Sequence, residues 1–259
     1  MDRGDKSLDG LGKVDRERMI PLKDDSPRLS TPSMNYFLIA ANVVVFLFEI
    51  TLPGDSLKGF IYDFGLVPAR LAALLHAAAS HVHGHAHMVS PELVLLPVLS
   101  SMFIHASWWH LLFNMWFLWI FGRNLEDTLG HFPYLVFYLT CGVAAAFVQT
   151  AVELNSTIPT VGASGAIAGV MGGYFVLYPR AKVMMLVPFF FIFFLWLPAW
   201  VVLGYWFVLQ FLSGVGTELV TGGRSSGGVA FWAHVGGFVA GILLVRLFPS
   251  RARRYLYGS

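Results

Sequence analysis

The sequence predicts an all-α membrane protein, a bundle of six transmembrane helices. Hydrophobic residues make up 56% of the 259 residues and charged residues only 12%, which is about half the charged share of a soluble domain. Six apolar segments alternate with polar or proline-containing stretches, as expected for helices in a bilayer whose hydrocarbon core is about 30 Å thick. The net charge of +2 does not indicate a nucleic-acid partner. The predicted spans are residues 35–52, 107–125, 131–152, 164–178, 195–214 and 229–248.

The regions outside these spans divide the chain further. Residues 1–33 contain seven basic and seven acidic residues, and this composition predicts a solvated, flexible cytoplasmic tail. Residues 34–249 then form the membrane domain, and residues 250–259 form a short basic cytoplasmic tail. No cleavable signal peptide is expected, because the first long apolar run begins only near Asn35.

Two connecting segments are apolar but too interrupted by proline to cross a membrane. Residues 53–106 are broken by four prolines, and they predict a long first external loop that lies in the membrane interface as short helices and turns. Pro188 and Pro198 interrupt the Phe-rich run at residues 183–200. The first half of this run is therefore also predicted to be interfacial.

The distribution of basic residues predicts the orientation in the membrane. Six spans place both termini on one side, and that side would hold fourteen of the Lys and Arg residues, against Lys58, Arg70 and Arg224 on the other. Loops that carry an excess of Lys and Arg stay in the cytoplasm. We therefore expect an integral membrane protein with both termini cytoplasmic.

A serine at the start of the fourth span is the main candidate for chemistry. The segment Gly162-Ala163-Ser164-Gly165 opens an apolar run that ends at Tyr178, and fifteen residues of helix measure only about 22 Å. Ser164 is then expected about 8–10 Å below the outer surface, where irregular backbone must be buried in protein or line a water-filled cavity. The simpler interpretation is that Ser164 only caps the helix.

Polar residues cluster near the outer ends of spans two, four and six, which run in the same direction. His110 and Asn114 lie in span two, Ser164 in span four and His234 in span six. Ionisable residues inside a membrane are functional candidates because burying them is costly. A serine nucleophile needs a base, and His234 is the best candidate, so the sequence predicts a Ser164–His234 dyad. His234 as a merely buried histidine is the alternative.

Glycines in helical register support an approach of spans four and six. Gly165, Gly169 and Gly173 form one stripe, and Gly237 and Gly241 form another after His234. Such stripes let two helix backbones come close together. The approach would bring Ser164 and His234 within hydrogen-bonding distance, about 2.6–3.2 Å. The alternative is that these glycines only pack the helices.

His110 and Asn114 are four residues apart and share one helix face. Together with the Ser164 N–H they could donate hydrogen bonds to a developing oxyanion. Gly162 is assigned to the same oxyanion site. The alternative is that His110 and Asn114 form a purely structural polar pair. His105 is expected to brace the preceding segment. Glu126 with Arg123 is expected to form a structural polar cluster at the cytoplasmic end of span two.

The alternating histidines His81, His83, His85 and His87 could collect a divalent metal on one side of an extended segment. No cysteine or carboxylate lies among them. We therefore interpret them as a loop insertion and expect no metal and no cofactor.

Four motifs in order resemble the rhomboid intramembrane serine proteases of the bacterial type. They are His105-Ala-Ser-Trp-Trp-His-Leu-Leu-Phe-Asn114, Phe121-Gly-Arg-Asn-Leu-Glu126, Gly162-Ala-Ser-Gly165 and His234-Val-Gly-Gly237. The resemblance implies a six-helix fold in which Ser164 is the nucleophile, His234 the general base, and His110 and Asn114 the lining of the oxyanion hole.

The same resemblance implies substrates that are themselves membrane-spanning helices, cleaved in the bilayer of a bacterial inner membrane without ATP or metal. Two features depart from the family pattern. Residues 53–106 contain no tryptophan to match the Trp-Arg pair of the first external loop, and Ala168 stands where some members carry an aromatic residue. The support of the His234 ring is therefore left open.

Two other classes of protein share parts of this pattern. A non-catalytic rhomboid-like protein would bind membrane helices, but such relatives typically lack the serine or the histidine, and both are present here. A transporter would also have broken helices and buried polar residues. We see no internal repeat of the kind that many transporters contain.

Overall fold

The computed structural model describes residues 20–24, 30–79, 91–189, 191–221 and 228–248. Most of the described chain is helical. The α-helices are α1 (Ser33–Glu49), α2 (Gly54–Phe64), α3 (Pro68–Ala79), α4 (Pro91–Ser100), α5 (Trp108–Phe117), α6 (Arg123–Leu129), α7 (His131–Val152), α8 (Ser164–Leu177), α9 (Ala199–Thr221) and α10 (Phe231–Leu244).

Helix α8 lies at the centre of the molecule. Every residue from Gly165 to Tyr174 is buried, so the helix is surrounded by protein on all sides. A helix that is apolar all round is expected in such a position. The helices α7 and α10 supply most of its surroundings, and the main hydrophobic core takes most of its buried residues from α8, α7 and the segment from Leu111 to Leu129.

Two helices, α7 and α9, are long and apolar enough to cross a membrane. The segments Val94–Phe103 and Trp108–Leu129 meet at an angle of 81° and would add a third crossing if they are counted as one span. Shorter apolar helices cover Ser33–Glu49, Ser164–Leu177 and Phe231–Leu247. Each of the six predicted spans therefore contains a helix, while the number of crossings stays a prediction.

An antiparallel sheet is the main departure from the predicted all-α fold. Its strands are β1 (Ile20–Asp24), β2 (Lys182–Phe189) and β3 (Phe191–Pro198), in that order, with Lys182 opposite Pro198. Valine and phenylalanine favour strands, and proline removes a helix hydrogen bond, so the run between α8 and α9 forms a hairpin. The fifth helix consequently covers Ala199–Thr221, and the predicted span 195–214 was placed too early.

The polar N-terminal segment also contains an ordered strand. Strand β1 pairs with β2, and Asp24 lies opposite Val183. The Asp24 carboxylate accepts hydrogen bonds from the Tyr174 hydroxyl at 2.6 Å and from the Asn124 amide. Ile20–Asp24 is therefore a paired strand within the tail predicted over residues 1–33, held by backbone pairing and by a buried tyrosine.

Glu126 fastens the start of α1 to the end of the second predicted span. Its carboxylate accepts hydrogen bonds from the backbone N–H groups of Met34 and Asn35 at 2.9 and 2.7 Å, and it contacts His131 Nδ1 at 2.5 Å. A carboxylate at a helix N-terminus satisfies donors that have no partner within the helix. The Arg123 guanidinium lies over the Trp119 ring at 4.5 Å.

Candidate active site

Ser164 is the first residue of α8, and Ala163 precedes it as the N-cap. Its side chain therefore does not occupy the capping position, and no side-chain cap bond is made at this end of the helix. The Ser164 N–H belongs to the first turn and has no acceptor within the helix. Both the hydroxyl and this N–H thus lie at the open end of a buried helix.

The glycine stripes bring α8 and α10 into backbone contact. A Cβ on Gly237 would lie 2.9 Å from the carbonyl carbon of Gly165, and a Cβ on Gly241 would lie 2.9 Å from the Cα of Gly169. This contact was predicted and is confirmed for these four glycines. Gly173 was assigned to the same stripe, but it faces the Phe137 and Leu125 side chains.

The place expected for Gly173 is taken by its neighbour. A Cβ on Gly172 would meet the backbone of Phe238 and Ile242 in α10. A strict four-residue repeat drifts around a helix that has 3.6 residues per turn, so the contact moves from one residue to the adjacent one.

His234 lies in α10 and is held from the α9 side. Its Nδ1 atom lies 2.7 Å from Gln210 Oε1, and the Trp206 ring packs beside the imidazole with centroids 5.7 Å apart. Ala168 cannot support the His234 ring as an aromatic residue at that position would. Trp206 of α9 packs against the ring instead. Among the described residues, no direct hydrogen bond joins His234 to the Ser164 hydroxyl.

His110 and Asn114 face the start of α8 from α5. The amide nitrogen of Asn114 is buried and has no hydrogen-bond partner among the described residues, and the residue as a whole is only 6% exposed. The His110 ring lies against Gly162, where an added Cβ would come within 2.7 Å of the ring atoms Cε1 and Nε2.

Gly162 was predicted at the oxyanion site, and its own N–H already has an acceptor. Its N–H donates to the Ser101 carbonyl at 2.8 Å, so this N–H is not available to an oxyanion. Its φ of 125° is strained for other residues. Gly162 therefore provides the turn into α8 and the space for the His110 ring.

The segment between α1 and α4 fixes the residues that lead to Ser164. Leu66 and Thr160 exchange two backbone hydrogen bonds of 3.0 and 2.7 Å, and the Ala69 N–H donates to the Ser156 carbonyl at 2.9 Å. The loop before the serine is thus paired to α3 and to the turn before it.

One cavity of about 660 Å³ joins these groups. Ser164, His234, His110 and Asn114 all line it, and so does Gln149, whose Oε1 accepts the Ala233 N–H at 3.0 Å. A cavity of this size with several polar groups in its wall can hold water. The wall also includes Met171, Trp206, Glu153, Thr217, Glu218 and residues 158–161.

The other predicted residues lie outside this cavity or outside the described residues. His105 is buried beside it, with its ring 5.1 Å from that of His110, and its backbone N–H donates to both Glu49 carboxylate oxygens with N···O distances of 3.3 Å. Glu126 lies in α6, at the other end of the second predicted span, and is hydrogen-bonded to the start of α1. The histidines at positions 81, 83, 85 and 87 fall outside the described residues.

Sequence reasoning missed the residues that touch His234 from α9. Gln210 is an amide inside an apolar segment, and the rule that singled out Asn114 could have found it. Trp206 lies one turn earlier on the same helix, but an aromatic residue in an apolar run gives no such signal. Within the described ranges no group of three metal-ligating side chains comes together.

Comparison with known proteins assigns the chain to a protein family. The model of the Rhomboid domain matches residues 93–251, which is more than half of the chain. The chain therefore belongs to the rhomboid family.

Individual relatives cover smaller parts. "Rhomboid protein 1, mitochondrial" of Saccharomyces cerevisiae is 30% identical over 152 residues, 57% of this chain and 40% of that protein. "Rhomboid-like protein 11, chloroplastic" of Arabidopsis thaliana is 41% identical over 71 residues, 27% of this chain and 25% of that protein. "Presenilin-associated rhomboid-like protein, mitochondrial" of Mus musculus is 27% identical over 154 residues, 56% of this chain and 36% of that protein.

The chain thus spans less than half the length of these relatives. Their names are mitochondrial or chloroplastic, so they give no support to the bacterial type suggested by the motifs. The bacterial inner membrane stays a prediction.

Proposed function

We propose that the chain is an intramembrane serine endopeptidase that cleaves membrane-spanning substrate helices. The observation that carries this proposal is the convergence of Ser164, His234, His110 and Asn114 on one cavity. They come from three different helices, α5, α8 and α10. A nucleophile, a base and donors for an oxyanion are the groups that acyl transfer needs.

The reaction would proceed through an acyl-enzyme. The Ser164 oxygen attacks the substrate carbonyl carbon while His234 takes the hydroxyl proton. Donors aimed at the resulting oxyanion lower the barrier most when they are already in place and have no other partner. The unpaired Asn114 amide, the His110 ring and the Ser164 N–H are such candidates.

The remaining steps release both products and return the enzyme to its starting state. The protonated His234 gives its proton to the leaving amine as the peptide bond breaks. Water that enters through the cavity then attacks the acyl carbon, and His234 takes its proton. His234 returns this proton to the Ser164 oxygen as the bond to the acyl group breaks and the carboxylic acid product leaves. No metal and no cofactor take part.

Substrates would be helices of other membrane proteins, presented from the bilayer, with the site open to the outer side. Exposed apolar side chains on α9, among them Phe211 and Leu212, suit contact with lipid or an apolar helix. A nucleic-acid partner is not expected, and the oligomeric state is left open.

The test uses the purified full chain in liposomes with a model single-span substrate. We expect cleavage products from the parent protein and none from Ser164→Ala, and labelling of the parent serine by a fluorophosphonate. Ser213→Ala is the matched control, because Ser213 is a partly buried serine of α9 outside the cavity wall. Substrate that binds and stays intact with both proteins would instead indicate the non-catalytic alternative.

A further inference from the structure

Gln210 contacts a ring nitrogen of His234. The Nδ1 atom of His234 lies 2.7 Å from Gln210 Oε1. An amide oxygen only accepts hydrogen bonds, so Nδ1 carries the proton in this arrangement. In a neutral imidazole the other nitrogen, Nε2, then has a free lone pair.

The groups around His234 decide whether another side chain could bind the ring in place of Gln210. Among the described residues no carboxylate is hydrogen-bonded to His234. The titratable groups that share the cavity are His110 of α5, Glu153 after α7 and Glu218 of α9. Trp206 lies four residues before Gln210, so the two side chains share one face of α9, and the Trp206 ring packs against the same imidazole.

We infer that Gln210 is a positioning residue, which holds His234 with Nδ1 protonated and Nε2 free to take the Ser164 proton. This inference rests on the proposed function. In a Ser-His-Asp triad a carboxylate fixes the histidine tautomer and orientation. Here a neutral amide fixes them and adds no charge behind the imidazolium.

A neutral partner has a consequence for pH dependence that a carboxylate would not have. A carboxylate beside the ring would favour the protonated imidazole. The base would then be lost at a higher pH, and the acidic limb of the rate profile would move upward. Gln210 avoids this shift and still specifies the tautomer.

Two substitutions separate these effects. Gln210→Leu removes the acceptor at similar volume, and we expect kcat to fall about 10–10²-fold, less than the whole contribution of a general base, while KM changes little. Gln210→Glu restores an acceptor, and we expect substantial activity with the acidic limb moved up by about one pH unit or more. Val208→Ala, on the half-exposed side of α9, is the control and should match the parent.

A spectroscopic measurement tests the tautomer without any substrate. With ¹⁵N-labelled histidine in lipid nanodiscs, the His234 signals are assigned by their loss in His234→Gln. In the parent at neutral pH we expect Nδ1 to be protonated and Nε2 to be unprotonated, whereas Gln210→Leu should populate both tautomers.

The outcomes for Gln210 and for the proposed function differ. An unchanged tautomer in Gln210→Leu, or unchanged kcat and pH profile in both variants, would overturn the positioning role. A parent protein that shows the expected tautomer and cleaves nothing would instead contradict the protease assignment. A folding defect in Gln210→Leu would be recognised by its melting temperature, and Gln210→Glu then decides through its pH profile.

Discussion

At the scale of single residues, the buried side chain of Asn114 supports a role in the reaction. Its amide nitrogen is buried without a partner among the described residues, although buried polar groups are nearly always hydrogen-bonded. Leaving a donor unpaired costs about 1–3 kcal/mol. A group that acquires its partner only during the reaction would explain this cost.

Replacing Asn114 by alanine is expected to slow the chemical step. Removal of one oxyanion donor typically lowers kcat by about 10²–10³-fold. Steady-state kinetics on a model substrate in liposomes should show this loss in kcat with KM nearly unchanged. A variant in which only KM rises would assign Asn114 to substrate docking.

Ser164 and His234 are expected to act as one unit. Substitution of either by alanine should abolish cleavage, and the double variant should be no worse than the single ones, because groups that act together give non-additive losses. Measured rates of the three variants check this, with melting temperatures to show that each still folds. Additive losses would contradict a dyad.

Acidification is expected to reduce cleavage through His234. A protonated imidazole cannot accept the serine proton, so the rate should fall as the pH is lowered and recover when it is raised again. The measurement is kcat against pH for the parent, with light scattering to exclude aggregation. A rate that stays constant across the acidic range would exclude histidine as the base.

At the scale of elements, the contact of α8 with α10 determines where Ser164 and His234 lie. The Gly237 backbone rests directly on the Gly165 carbonyl, one residue after the serine. Any side chain at this point would push the two helices apart. Small residues at such crossings are what allow close approach in membranes.

Gly237→Ala is expected to destabilise the fold by about 1–3 kcal/mol, the usual cost of overpacking, and to lower activity strongly. Gly216→Ala is the matched control, because a Cβ there meets nothing within 4 Å, and alanine is the better helix former by about 1 kcal/mol. Denaturant unfolding and cleavage assays on both variants check this. Equal stability and equal activity of the two variants would contradict the direct backbone contact between α8 and α10.

The hairpin β2–β3 is the element that changes the description of the fold most. Its strands lead directly from α8 into α9, and the Ala199 N–H donates to the Ala181 carbonyl at 2.8 Å. The hairpin therefore sets the start of the helix that carries Gln210 and Trp206. Strand β1, from the N-terminal segment, pairs with β2 of this hairpin. The N-terminal segment is therefore part of the same three-stranded sheet.

At the scale of the whole molecule, the orientation in the membrane remains to be measured. Single cysteines at Ser7 and Ser250, in a Cys141→Ser background, should react with impermeant thiol reagents only from the cytoplasmic side. A cysteine at Asp55, whose side chain is fully exposed, should react only from outside. The reverse pattern would invert the site and change which substrates can reach it.

The candidate site was largely predictable from the sequence because its residues combine a polar side chain with an apolar segment. Ser164, His234, His110 and Asn114 each meet this condition, and the glycine stripes indicated which helices approach. Gly162 was predicted at the oxyanion site, and the sequence could not reveal that its N–H is already bound to the Ser101 carbonyl. Gln210 was missed although it meets the same condition.

What the sequence determined by itself follows from local rules: the helical membrane class, the position of each apolar helix within about seven residues, and the pairing of small residues at one crossing. What only the tertiary structure decided depends on partners far away in the chain. The strand at Ile20–Asp24 exists because it pairs with β2, more than 150 residues later. The ring of His234 is supported by Trp206 and Gln210 because α9 crosses beside α10, and no periodicity in either helix encodes that contact.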